Sequence, residues 1–220
     1  MPRMARVMFE DWPFHITHRA NERRTILGSA KERRDYLRLL KRYSQRFEMA
    51  IWAYCLMENH VHLISVGRKR NAIPRAVGNT HRNFSRNRNG ERDVTGQLWA
   101  NRFFSTALDE THLWTAVRYV ELDPVRAGLV RRATDYPWSS ARFHAGLESG
   151  NPLLDSGSPF PGPIGDWSAW LGYGLEGAME NQIRENTYSG QPTGSDPFLS
   201  EIEKRLGRSI RRGRSQAQAR

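Results

Sequence analysis

Two apolar runs separated by three residues constrain the fold of this chain more than any other feature. Met49 to Leu56 (MAIWAYCL) and His60 to Val66 (HVHLISV) each have the length and the β-branched or aromatic content of a strand. Met57-Glu58-Asn59 between them is short enough for a hairpin loop, so part of an antiparallel sheet is expected here. Side chains alternate across a strand, which puts His60 and His62 on one face and Val61 and Leu63 on the other. Two imidazoles on one face, backed by an apolar face, form half of a site for a divalent metal.

The flanking sequence supplies the rest of the fold. Trp12 to Arg19 alternates like a strand, with Phe14 and Ile16 on one face and His15, Thr17 and Arg19 on the other. Ser29 is an N-cap for a helix over Ala30 to Phe47, and Glu32 completes a capping box. Tyr36, Leu39, Leu40, Tyr43 and Phe47 form its apolar stripe. Pro74 belongs in the first turn of a second helix through Ala76, Val77, His81, Phe84 and Ser85. Leu98 to Leu108 is expected to be a strand. Glu110 to Leu122 has helical spacing, and Pro124 should end that helix. The order strand, helix, strand, strand, helix, strand, helix is a ferredoxin-like split βαβ sandwich of the α+β class. We expect an antiparallel sheet with helices on one face, plus a small helical C-terminal extension.

Residues 1–146 are expected to form the main domain. Residues 147–165, rich in Gly, Pro and Ser, are expected to be a linker. Residues 166–220 then form the extension, with helices around Trp167 to Leu171, Leu175 to Thr187 and Pro197 to Leu206, and a basic tail with no acid after Glu203.

Charge narrows the function classes. Lys and Arg number 34 against 23 Asp and Glu, a net charge of +11 that favours a polyanionic partner. Between Gly67 and Gly90 lie Arg68, Lys69, Arg70, Arg75, Arg82, Arg86 and Arg88 without one carboxylate. With Arg19 and with Arg208, Arg211 and Arg212 of the tail, these are the cations expected to track nucleic-acid phosphates. The same segment can also be a solvated basic face. Trp12 and Trp99 can stack on unpaired bases or pack internally. Cys55 is the single cysteine, which excludes an internal disulfide and fits a reducing compartment. No apolar stretch approaches the roughly 18 residues of a membrane span, and the N-terminus has no secretory apolar region. A cytoplasmic location is expected.

Tyr119 and Asp123 are four apart in one expected helix and so share a face. If that helix packs beside the histidine strand, His60, His62 and Asp123 could hold Mg²⁺ or Mn²⁺ with positions left open for phosphate and water. Tyr119 would then reach a coordinated phosphate as a nucleophile. Each residue also has a plainer use: the histidines as polar surface, Tyr119 as packing, Asp123 as a helix stop. His15, His18, His81 and His112 have no partner at ligand spacing and are expected to be structural or to face the nucleic acid.

Taken together, five runs resemble the single-tyrosine HUH transposases, and most closely the REP-associated tyrosine transposases of bacteria. They are FHITHR (14–19), Tyr54 to Ile64 with its HVH core, LWANRF (98–103), YVELDPVRAGLV (119–130) and YPWSS (136–140). The resemblance covers about residues 5–145 and continues more loosely through Gln182 to Arg208. It implies that His60 and His62 bind metal, that Tyr119 is the nucleophile and that Asp123 is the third ligand, where relatives often carry Asn. Glu58 stands where relatives often have Pro. The implied activity is metal-dependent cleavage and strand transfer on single-stranded DNA beside palindromic hairpins, through a 5′-phosphotyrosine. A monomer acting at the bacterial nucleoid is expected. The alternative is a domesticated DNA-binding protein that recognises repeated palindromes with little or no catalysis.

Overall fold

The structure, a computed structural model, describes residues 8–160, 162 and 164–210. Four strands, β1 (Pro13–Arg19), β2 (Met49–Leu56), β3 (His60–Gly67) and β4 (Phe104–Ala107), form one sheet in the order β2-β3-β1-β4. All three pairings are antiparallel. This is the split βαβ arrangement expected from the element order, because the helix-bearing crossover from β1 to β2 leaves room for β3 between them.

Helix α1 (Ala30–Phe47) starts where its capping box dictates. The Ser29 hydroxyl accepts the Glu32 N–H at 3.1 Å, and the Glu32 carboxylate accepts the Ser29 N–H at 3.0 Å. Tyr36, Leu39, Leu40 and Tyr43 bury one stripe of α1 beside Ala76, Val77 and Phe84 of α2 (Ala72–Glu91). The two helices cover the sheet face that carries Phe14, Ile16, Ile51, Leu56, Val61 and Leu63.

The opposite face is covered as well, which corrects the expectation of helices on one face only. Ala53, Cys55 and Ile64 on that face pack against Leu113, Ala116, Val117 and Val120 of α3 (Glu110–Glu121). Strand alternation marks this face as the less apolar one, yet its small or imidazole side chains are buried.

Two further boundaries differ from expectation. The strand expected over 98–108 is regular only in β4, because Asn101 adopts a left-handed backbone (φ 57°) that an extended run cannot contain. Helix α3 stops at Glu121, and Asp123 opens a separate turn, α4 (Asp123–Arg126), with Pro124 in its first turn. Pro has no N–H to continue the preceding helix but suits the start of the next.

Within the expected linker, residues 155–160 lie against the body of the fold. The Asp155 N–H bonds Ile51 O at 2.8 Å, and Phe160 is buried against Trp114 with ring centroids 4.7 Å apart. Beyond it come α6 (Trp167–Gly172), α7 (Gly177–Ser189) and α8 (Asp196–Leu206), with α5 (Ala141–His144) preceding the segment. After α7 the Thr193 N–H bonds Ala107 O at 2.8 Å, tying the extension to the β4 edge. A fully buried carboxylate, Glu121, joins three elements. It accepts from the Ser140 hydroxyl and from Trp167 Nε1 at 2.7 Å, and pairs with His144 Nδ1 at 2.7 Å. No helix among the described residues is long and apolar enough to cross a membrane.

Candidate active site

β3 opens with His60, so both histidines lie at one end of the sheet, on the face that α3 and α7 cover. Register pairs Arg19 with His60, Thr17 with His62 and His15 with Ile64. The break after α3 brings the Asp123 carboxylate back over this end. Its Oδ2 lies 2.9 Å from His60 Nε2 and 3.7 Å from His62 Nε2. One ligand atom from each of His60, His62 and Asp123 falls within 4.8 Å of the others. Two imidazole nitrogens and a carboxylate oxygen suit a divalent metal, and three protein ligands leave coordination positions open.

An imidazole can hold a metal only through a bare nitrogen, and the hydrogen bonds around His62 leave one. The Thr187 hydroxyl on α7 donates to Ile183 O at 2.6 Å, so its oxygen must accept from His15 Nδ1–H at 2.8 Å. Neutral His15 then has only Nε2 as an acceptor, and His62 Nδ1–H donates to it at 2.8 Å. His62 Nε2 is left without its proton, facing Asp123 Oδ2 across 3.7 Å. Burial supports this state by pushing His62 well below its ordinary range and His15 down to about 3. On the other ring, His60 Nδ1 donates to Asn59 Oδ1 at 2.6 Å and Nε2 turns inward.

Burial alone would raise the Asp123 carboxyl. The close contact with His60 Nε2 and the nearby Arg126 guanidinium outweigh that, and the carboxyl is held well below the usual carboxylate range. Arg126 Nη2 donates to Asp123 Oδ1 at 2.8 Å and Nη1 to the backbone oxygen of Tyr119 at 2.7 Å. Glu180 of α7 holds Arg126 Nε at 3.3 Å.

Tyr119 sits on the last full turn of α3, its ring edge-on to His15 at 5.6 Å and to His62 at 5.7 Å. The Arg126 guanidinium lies 4.1 Å from the ring centroid. Burial raises the phenol's pKa, and Arg126 opposes that rise. The hydroxyl has no hydrogen-bond partner among the described residues. A tyrosine, a cation that favours its ionised form and a three-ligand cluster therefore share one end of the sheet.

The structure brings together His60, His62, Tyr119 and Asp123, although Tyr119 and Asp123 belong to two helical segments rather than one. His15, Arg126, Thr187 and Glu180 complete the arrangement and were not singled out as site residues in the sequence. The polar alternation of β1 was a signal for His15; nothing local points to Thr187 or Glu180.

The expected DNA-facing cations divide. Arg68 pairs with Asp11 at 3.2 Å, Lys69 pairs with Glu48, and Arg88 is largely buried and pairs with Glu32 at 3.0 Å. Arg70 bonds the Glu10 carboxylate through its backbone N–H at 2.9 Å, and Arg75, Arg82 and Arg86 have no acidic partner among the described residues. Arg19 is half-buried, and Arg208 is exposed at the end of α8. Arg211 and Arg212 lie outside the described residues.

Comparison with known proteins places this site in context. A family model described as "Transposase IS200 like" matches residues 9–123, a span that holds all four of these residues. The structure of a REP-associated tyrosine transposase bound to a REP hairpin superposes with a TM-score of 0.58 at 17% identity, covering 72% of this chain and 97% of that one. At that identity the likeness speaks to the fold. A transposase structure from Deinococcus radiodurans R1 is also 17% identical, over 55% of this chain and 96% of that one, but its TM-score of 0.38 adds nothing to the fold assignment. No curated protein matches the sequence. The family match spans more than half of the 220 residues, and this chain belongs to the IS200-like transposase family.

Proposed function

We propose that this protein cuts and rejoins single-stranded DNA beside palindromic hairpins, with Tyr119 as the nucleophile. The observation that carries this reading is the meeting of Tyr119 with His60, His62 and Asp123 at one end of the sheet. The hairpin bound in the structurally similar REP-associated transposase supports the choice of DNA. The reading extends to REP-type palindromes, to a monomer as the acting species and to the bacterial nucleoid as its place of action.

In the proposed reaction, Tyr119 Oη attacks the phosphorus of a DNA phosphodiester. The phosphorus–O3′ bond breaks, the phenolic proton passes to water and the departing 3′ oxygen becomes a free 3′-OH. The 5′ phosphate stays on Tyr119 as a phosphotyrosine. Attack by a new 3′-OH reverses these steps and joins the strands. His60, His62 and Asp123 would hold Mg²⁺ or Mn²⁺, which when bound neutralises charge on the phosphate oxygens and polarises phosphorus. Arg126 lowers the cost of the developing phenolate through its place 4.1 Å from the ring, and it also holds Asp123 in position.

Incubation of the full chain with hairpin oligonucleotides carrying single-stranded flanks, in Mn²⁺ or Mg²⁺, tests the reading. A denaturation-resistant protein–DNA adduct is expected, lost in Tyr119→Phe and in metal-free buffer, with hairpin affinity retained. An adduct that persists in Tyr119→Phe overturns the nucleophile, and tight binding with no cleavage in either metal overturns the catalytic reading.

A further inference from the structure

On the sheet face opposite His62 lies a cavity of about 500 Å³ between α2 and the 96–103 loop. Its lining includes His18, His81, Trp99 and Phe103. Trp99 is stacked on His81 at 4.2 Å and on His18 at 4.8 Å between ring centroids. Hydrogen bonds fix the rings, His18 Nδ1 to His81 Nδ1 at 2.7 Å and Tyr36 Oη to His81 Nε2 at 2.9 Å. The Trp99 indole N–H is buried with no hydrogen-bond partner among the described residues.

Two exposed cations, Arg82 and Arg102, also line the cavity, and neither has an acidic partner among the described residues. No carboxylate lines it. Gly78, in the middle of α2, opens onto it as well, and a Cβ built there meets nothing within 4 Å. A mid-helix glycine costs about 0.5–1 kcal/mol relative to alanine, a cost that here accompanies open space. Rigid aromatic walls, open volume and unpaired cations without acids are what a nucleotide needs: a flat base to enclose and a phosphate to neutralise.

The cavity lies at the same end of the sheet as the metal ligands. Arg19 pairs with His60, and the next residue, Ala20, bridges to Trp99. A single strand passing over this end can therefore reach both faces. We propose that the cavity receives one unstacked base of the single-stranded DNA, a few nucleotides from the phosphate at Tyr119, with Arg82 and Arg102 on the adjoining phosphates. This rests on the single-stranded DNA reading above and adds a base-binding site to it.

The test uses the full chain and hairpin oligonucleotides whose flanking bases are replaced one at a time by abasic sites. Affinity and adduct yield are measured for each. In the wild type, one abasic position should weaken binding about tenfold, the scale of one stacked base, while its neighbours change little. Gly78→Leu, which fills the cavity from a position with room for a side chain, should weaken the unmodified DNA by a similar factor and abolish the penalty at that position. The double variant Arg82→Ala, Arg102→Ala should lower affinity and flatten its salt dependence. An equal response at every abasic position, or the same penalty retained in Gly78→Leu, overturns the base site while leaving adduct formation at Tyr119 intact. Absence of both DNA binding and adduct in the wild type overturns the function itself, and the base site with it.

Discussion

His15 Nε2 lies 2.8 Å from His62 Nδ1, and this contact makes strand β1 and helix α7 part of the candidate metal site. Without it, nothing else in the structure dictates which nitrogen of His62 carries the proton. Outer hydrogen bonds of this kind typically govern metal affinity by 10- to 100-fold.

His15→Ala is accordingly expected to weaken Mn²⁺ binding about 10- to 100-fold, measured by titration calorimetry on the DNA-free protein. Thr187→Val should shift affinity in the same direction by less, because His15 can still accept from His62. Unchanged affinity in His15→Ala would remove the relay from the account of the site.

Arg126 touches both halves of the site, so its loss should show in rate at saturating metal. Arg126→Gln is expected to slow adduct formation about a hundredfold, the scale of one lost electrostatic contact to developing charge. Arg126→Lys should recover only part of this, since an ammonium cannot bond Asp123 and the Tyr119 carbonyl as a planar fork does. Single-turnover kinetics with excess Mn²⁺ make the measurement.

Glu121 is sealed from solvent with Ser140, His144 and Trp167 as partners. Glu121→Ala strands these groups in the interior and should cost about 3–5 kcal/mol of stability, read from urea unfolding. Glu121→Gln, which keeps an acceptor for the Trp167 N–H, should cost less. Equal stability of Glu121→Ala and wild type would show that the cluster contributes little.

His81 gives a pH dependence remote from the metal ligands. Burial, followed by the neighbouring His18, holds it well below its ordinary value of 6.5. In the unfolded chain it takes up a proton as pH falls through about 6.5, whereas the folded protein resists protonation. Its contribution is thus fully present above that pH. Below it, stability falls by about 1.4 kcal/mol per pH unit for this one group. Thermal unfolding between pH 7.5 and 5 should show a shallower acid loss in His81→Gln than in wild type; parallel curves would contradict it.

Local signals were enough for much of the chain. The capping box placed α1, the three-residue gap placed the β2–β3 hairpin, and strand alternation put His60 and His62 on one face. These depend on neighbours within a few residues, where backbone geometry and side-chain periodicity act directly. Asp123 was legible as a site candidate from its spacing to Tyr119, though the helix break at Leu122 changes how it gets there.

What the amino-acid sequence determined by itself, then, was the order of elements, the split βαβ class and the core of the candidate site. Tertiary structure decided how those parts are held. It set α3 on the second face of the sheet, brought Thr187 to His15 across 172 positions, and put Arg126 over Tyr119. It also neutralised Arg68, Lys69 and Arg88 with acids from other segments, so a run of one charge in sequence is mixed in space. The physical reason is that hydrogen bonds and charge pairs act over a few ångströms, whatever the sequence separation. Only the folded chain says which distant side chains meet at that range.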